Sequence, residues 1–101
     1  MSESNSFDSI INSNVPVLLD FHATWCGPCK TLAPILEQVK KSLGDTVKII
    51  KIDVDRNPAL ASKLSISGVP TLILYRNGKL ISRNSGVLPA HEIIKLIQAA
   101  V

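Results

Sequence analysis

The chain has 101 residues, 46% of them apolar and 4% aromatic, and 11 Lys and Arg against 8 Asp and Glu give a net charge of +3. That length predicts a single domain over 1–101 with an aliphatic core able to stand without metals or staples. No apolar run approaches the roughly 20 residues of a membrane span, no repeat or low-complexity linker interrupts the chain, and only Lys40 and Lys41 are adjacent cations, which excludes the clustered footprint of a nucleic-acid binder. The charge supports at most a mild preference for acidic protein partners. The start, residues 1–6, reads as a polar tail without the apolar stretch of a secretory signal, so a cytosolic protein is expected.

Phe7, Ile10 and Ile11 have one-face helical spacing and predict a short first helix. Residues 15–21 form a nearly continuous apolar run, the pattern of a buried strand. Two cysteines follow in Trp25-Cys26-Gly27-Pro28-Cys29-Lys30. Beyond them Leu32, Ile35, Leu36, Val39 and Leu43 keep the 3.6-residue period of a long helix ending near Gly44, with Pro34 inside it as a kink. Residues 47–54 predict a second strand. Asn57-Pro58 predicts a short helix with Asn as N-cap and Pro at the first position. Residues 71–75 predict a third strand, Asn77-Gly78 a tight hairpin, and 79–83 a fourth strand. The last helix carries Ile93, Leu96, Ile97 and Ala100 on one face, with Pro89 near its start and His91 on the surface. Strand–helix–strand at the front implies parallel pairing with a right-handed crossover, and the hairpin at the back implies antiparallel pairing. The fold class is α/β, a mixed sheet with helices on both faces.

The cysteine pair sits where a buried strand gives way to a helix. Sulfur at a helix N-terminus meets unpaired backbone N–H groups and the positive end of the helix dipole, and both favour the thiolate. A free thiol with pKa about 8.5 is only a few per cent ionised at pH 7. The dipole contributes ~1 kcal/mol and a charge-assisted hydrogen bond from Cys29 ~1.5 kcal/mol more, enough to ionise a large fraction of Cys26 at neutral pH. Gly27 has no side chain to block the approach, and Pro28 stiffens the first turn, where its missing N–H costs nothing. Cys29, three residues on and on the same helix face, is placed to resolve a mixed disulfide. Other uses of two thiols remain open here. A structural staple across so small a loop gives roughly 2 kcal/mol by chain entropy. A structural zinc site needs four ligands, and two cysteines with two distant histidines complete one only across two chains. The thiols could also be inert core groups.

The chain resembles the thioredoxin family from about Phe7 to its end. The resemblance rests on Asp20-Phe21, the Trp25-to-Lys30 motif, Ala33-Pro34-Ile35, Lys51-Ile52-Asp53-Val54-Asp55, Gly68-Val69-Pro70-Thr71, Asn77-Gly78-Lys79 and Gly86. It implies a thioredoxin fold with four or five strands and an activity as a protein dithiol–disulfide oxidoreductase. Cys26 is then the outward nucleophile and Cys29 the resolving thiol. Asp20, on its own either a buried acid or a strand-end carboxylate in water, becomes the buried acid that takes the proton from Cys29. Lys51 becomes the cation beside that acid. Val69-Pro70 becomes a cis peptide facing the pair, with Val69 offering its backbone to an extended substrate. Trp25, Gly27, Pro28, Gly68, Gly86 and Val87 complete a shallow apolar rim. The resemblance also implies that electrons come from NADPH through an external thioredoxin reductase; the chain has no dinucleotide or phosphate-loop motif of its own. Partners are that reductase and disulfide-containing proteins, with no nucleic acid and no membrane.

Two positions depart from the family pattern. His22 stands where an aromatic residue is usual, and strand alternation puts it on Asp20's face, so it is expected to modify the site's titration. Few residues precede the first helix, so strand 47–54 is expected at a sheet edge in an otherwise monomeric protein, with dimerisation through that edge open. Two further functions compete with the reductase: a disulfide oxidase or isomerase, and a binding module in which the thiols are incidental.

Overall fold

The computed structural model describes residues 3–101. Among them four strands form one sheet in the order β2-β1-β3-β4. β1 (Val17–His22) lies at its centre, pairing in parallel with β2 (Lys48–Asp53) and antiparallel with β3 (Thr71–Arg76). β4 (Lys79–Ser85) closes the other side as the hairpin partner of β3. The expected fold class holds. The fifth strand, left open above, does not occur among the described residues, and β2 is an edge.

Alternation along β1 divides the core in two. Val17, Leu19 and Phe21 point to one face, where α1 (Glu3–Ile11) and α3 (Pro58–Lys63) cover them. Leu18 points to the other, against α2 (Gly27–Leu43) and α4 (Ala90–Ala99). Asp20 and His22 share Leu18's parity and therefore its face. On the α1 side the Phe7 and Tyr75 rings meet edge to face at 5.6 Å, and the Lys63 ammonium lies 5.5 Å from the Phe7 centroid.

The hairpin follows its sequence signal. Asn77 and Gly78 both take positive φ, 54° and 76°, and Arg76 pairs with Lys79 across a two-residue loop. The loop is tied to the end of α1 by Gly78 N–H to Ile11 O at 3.0 Å and Asn77 N–H to Ser13 O at 2.8 Å. A bulge between Leu74 and Tyr75 leaves Ile81 without a register partner on β3.

Two expectations change. Helix α1 begins at Glu3, so most of the supposed polar tail is helical. Its polar residues offered no periodic signal, but the buried Phe7 and Ile11 anchor the helix and the turn before them continues it. Asn57 precedes α3 as expected yet makes no side-chain cap; its amide donates backwards to Asp53 O at 3.0 Å. Lys40 ties two elements together. Its ammonium donates to Gly44 O and Val47 O, both at 2.8 Å, and holds the C-terminal end of α2 to the start of β2.

Candidate active site

β1 ends at His22, and a three-residue turn leads to Cys26, the N-cap of α2. Cys26 has extended backbone (φ −92°, ψ 113°) and its Sγ accepts a hydrogen bond from Cys29 N–H at 3.1 Å. A sulfur here does the work that Ser or Asp usually does at this position. Gly27 and Pro28 fill the first turn, and Cys26 and Cys29 are joined as a disulfide with Cα atoms 5.3 Å apart. A Cβ built on Gly27 meets nothing within 4 Å, so the approach past it is open.

The loop before β3 faces this pair. The Val69–Pro70 peptide is cis, and Val69 O lies 3.6 Å from Cys26 Sγ. Thr71 Oγ donates to Gly68 O at 2.7 Å, and Gly86 N–H donates to Pro70 O at 2.9 Å, which draws Gly86 and the adjoining Val87 to the same end of the sheet. Trp25, 69% exposed, lines a shallow depression with Ile66, Gly68 and Val69. Val87 is 39% exposed.

Whole-residue exposure does not order the sulfurs as expected. Cys26, the supposed outward thiol, is 3% exposed, and Cys29 is 9% exposed. Cys26 packs in a small cluster with Ala23, Cys29, Val54 and Val69, and the Val69 carbonyl lies beside its sulfur. What distinguishes Cys26 is its place at the helix terminus, where it accepts an amide hydrogen bond.

Asp20 is buried at 5% exposure, and its Oδ1 has no hydrogen-bond partner. Desolvation raises its pKa above the ordinary carboxylate value, while the nearby charges of His22 and Lys51 pull it down. Lys51 is exposed and is Asp20's register partner on β2; His22 is partly buried and faces Asp53 in the same way. The strand-end-in-water reading of Asp20 is thus replaced by a buried acid.

Two contacts lay outside sequence reasoning. Trp25 Nε1 donates to Asp55 Oδ2 at 2.8 Å, and Asp53 Oδ1 accepts from Asp55 N–H at 2.8 Å, so a turn 30 residues away fixes the indole. Asp55 ends the Lys51-to-Asp55 stretch, and nothing local marks it as Trp25's partner. Among the described residues no cluster of three or more His, Cys, Asp or Glu stands in metal-binding geometry, and no helix is long and apolar enough to cross a membrane.

The thioredoxin family pattern matches residues 1–99. The chain belongs to the thioredoxin family. It is 47% identical over 95 residues to thioredoxin Y2 of Arabidopsis thaliana, a match covering 93% of this chain and 57% of that one. It is 43% identical over 97 residues to a thioredoxin-like protein of Synechocystis, covering 96% and 92%. Among solved structures, chloroplastic thioredoxin z superposes with a TM-score of 0.85 at 37% identity, covering 99% of this chain and 90% of that one. The chain thus spans little more than half the length of the Arabidopsis relative. These relatives overturn the cytosolic expectation. Thioredoxin Y2 and thioredoxin z are both chloroplastic and point to a plastid rather than the cytoplasm. A polar start is common to many compartments, and the packing of a small α/β domain carries no address.

Burial of Asp20 has a consequence for stability. The folded state holds its proton more tightly than the unfolded chain, so this group's contribution is most favourable below the ordinary value of 3.8 and is lost as pH rises through the raised one. Asp20→Asn is expected to raise unfolding stability in urea by roughly 1–3 kcal/mol at about pH 8, with the gain vanishing below about pH 4. A gain that is absent, or equal at both pH values, would contradict a buried, desolvated carboxylate.

Proposed function

We propose that this chain, as one domain over 1–101, reduces disulfides in protein substrates by thiol–disulfide exchange. The observation that carries the reading is the Cys26–Cys29 disulfide at the start of α2, with Cys26 Sγ held between the Cys29 amide and the Val69 carbonyl. A sulfur that accepts an amide hydrogen bond at a helix terminus is stabilised as thiolate once the pair is reduced. An extended peptide laid along Val69 as an added strand would bring its own disulfide to that sulfur.

In the first step the Cys26 thiolate attacks one substrate sulfur. A Cys26–substrate bond forms, the substrate disulfide breaks, and its other sulfur leaves as a thiolate that takes up a proton. Cys29 then gives its proton to Asp20 and attacks Cys26 Sγ. The Cys26–Cys29 bond forms, the second substrate sulfur leaves, and two electrons have passed to the substrate. Asp20 suits the proton step because burial keeps its basicity above that of a solvated carboxylate. Lys51 and His22 act on it through charge. Trp25, Gly27, Pro28, Gly68, Pro70, Gly86 and Val87 form the contact surface around the pair. Regeneration needs an external two-electron donor; the family resemblance supports a thioredoxin reductase drawing on NADPH, which would place the protein in electron transport and redox homeostasis.

Reduction of insulin disulfides with dithiothreitol as donor tests the reading. The protein should accelerate the reaction well above dithiothreitol alone, Cys26→Ser should return it to that background, and Cys29→Ser should accumulate a covalent adduct through Cys26. A rate no faster than dithiothreitol, or an active Cys26→Ser variant, refutes it. His22→Trp should move the pH–rate profile; an unchanged profile removes His22 from the proton path.

A further inference from the structure

The loop that presents Val69 starts from an unusual helix end. α3 stops at Lys63, and Leu64 caps it. Ile66 N–H then reaches back to Ala61 O at 2.9 Å and Ser65 N–H to Ser62 O at 3.0 Å, the paired bonds of a Schellman ending. The residue at its turning point normally is glycine, because φ must be positive. Here it is Ser65, at φ 55°. A side chain in the left-handed region costs about 1–2 kcal/mol. Something must therefore hold this turn against relaxation.

Arg83 on β4 is placed to do so. Its Nη1 donates to Leu64 O at 2.6 Å and its Nη2 to Ser65 O at 2.8 Å. The guanidinium fork spans two successive carbonyls at a helix C-terminus, where backbone oxygens are unsatisfied and the dipole is negative. Arg83 is also in register with Ile73, on the strand that the loop enters. The far end of the loop is fixed by Thr71 Oγ on Gly68 O and by Gly86 N–H on Pro70 O. Residues 66–69 are thus strung between two anchors, and Val69 O stands 3.6 Å from Cys26 Sγ at the end of that span.

We propose that Arg83 is a positioning residue for the substrate-binding loop: its fork locks the strained Ser65 turn and so sets where Val69 stands opposite Cys26. The functional half of this rests on the disulfide-exchange reading; the structural half does not. Arg83 touches neither sulfur, so its effect falls on docking of a protein substrate and not on the sulfur chemistry.

The test combines Arg83→Gln, Ser65→Gly and the double variant. Amide hydrogen exchange of residues 66–69 reads the clamp without reference to activity, and insulin reduction reads its consequence. Arg83→Gln should speed exchange of these amides and raise KM for insulin about threefold to tenfold with kcat nearly constant. Turnover of a small disulfide such as 2-hydroxyethyl disulfide should stay unchanged. Ser65→Gly removes the strain, so Arg83→Gln introduced on that background should have a much smaller effect on exchange and KM. Unchanged exchange at 66–69 in Arg83→Gln overturns the clamp. Effects equal in the two backgrounds overturn the link to Ser65. Faster exchange with an unchanged KM overturns the role in substrate docking, and absence of insulin reduction by the unaltered protein faults the reductase reading while leaving the exchange result to judge the clamp.

Discussion

One hydrogen bond organises this molecule: the amide of Cys29 donated to the sulfur of Cys26. It caps α2, so the helix cannot begin without drawing Cys26 to its N-terminal end. It also puts the two cysteines within disulfide reach across a single turn. The remaining elements hold this junction in place. β1 delivers the chain to it from the centre of the sheet, α2 carries it on one face, and the β3 loop closes over it with the Val69 carbonyl. In the proposed exchange local structure and reactivity therefore share one cause, since the amide that starts the helix also favours charge on the reduced sulfur.

In the proposed exchange the two thiols are ordered by electrostatics. Exposure runs the other way, with Cys26 the more covered residue. On the proposed reading, a substrate that pairs with the Val69 backbone is brought to the Cys26 sulfur. Asp20 is a second electrostatic element, on the sheet face that α2 covers. Burial disfavours its charge, and only Lys51 and His22 on the neighbouring positions temper that cost. A carboxylate with an unpartnered oxygen in a core is expensive, and here the expense accompanies a place on the face that carries the cysteine helix.

Much of this was legible in the residues. Period-3.6 spacing marked α2, a continuous apolar run marked β1, and Asn77-Gly78 marked the hairpin to the residue. The spacing Cys26-to-Cys29 on a helix start was enough to propose paired thiols, and β2 does lie at an edge. Signals failed where the physics is non-local. The Trp25–Asp55 bond joins residues 30 apart, and Arg83 meets the α3 terminus through neighbouring strands. Neither leaves a mark on its own stretch of chain. Ser65 is the complementary case: the helix end it serves normally shows glycine, so its turn was hidden by residue type. The start of α1 was missed because polar residues ahead of an anchored turn carry no periodicity.

If the Cys29 amide governs both the helix start and the chemistry, reduced Cys26 must ionise more readily than an ordinary thiol. The direct measurement is the rate of iodoacetamide alkylation of Cys26 against pH in the reduced Cys29→Ser variant, which keeps the backbone N–H. A titration midpoint well below the free-cysteine value of about 8.5 is the predicted result. A midpoint at or above that value would show that the amide and the helix terminus do not stabilise the thiolate, and would contradict the assignment of Cys26 as nucleophile.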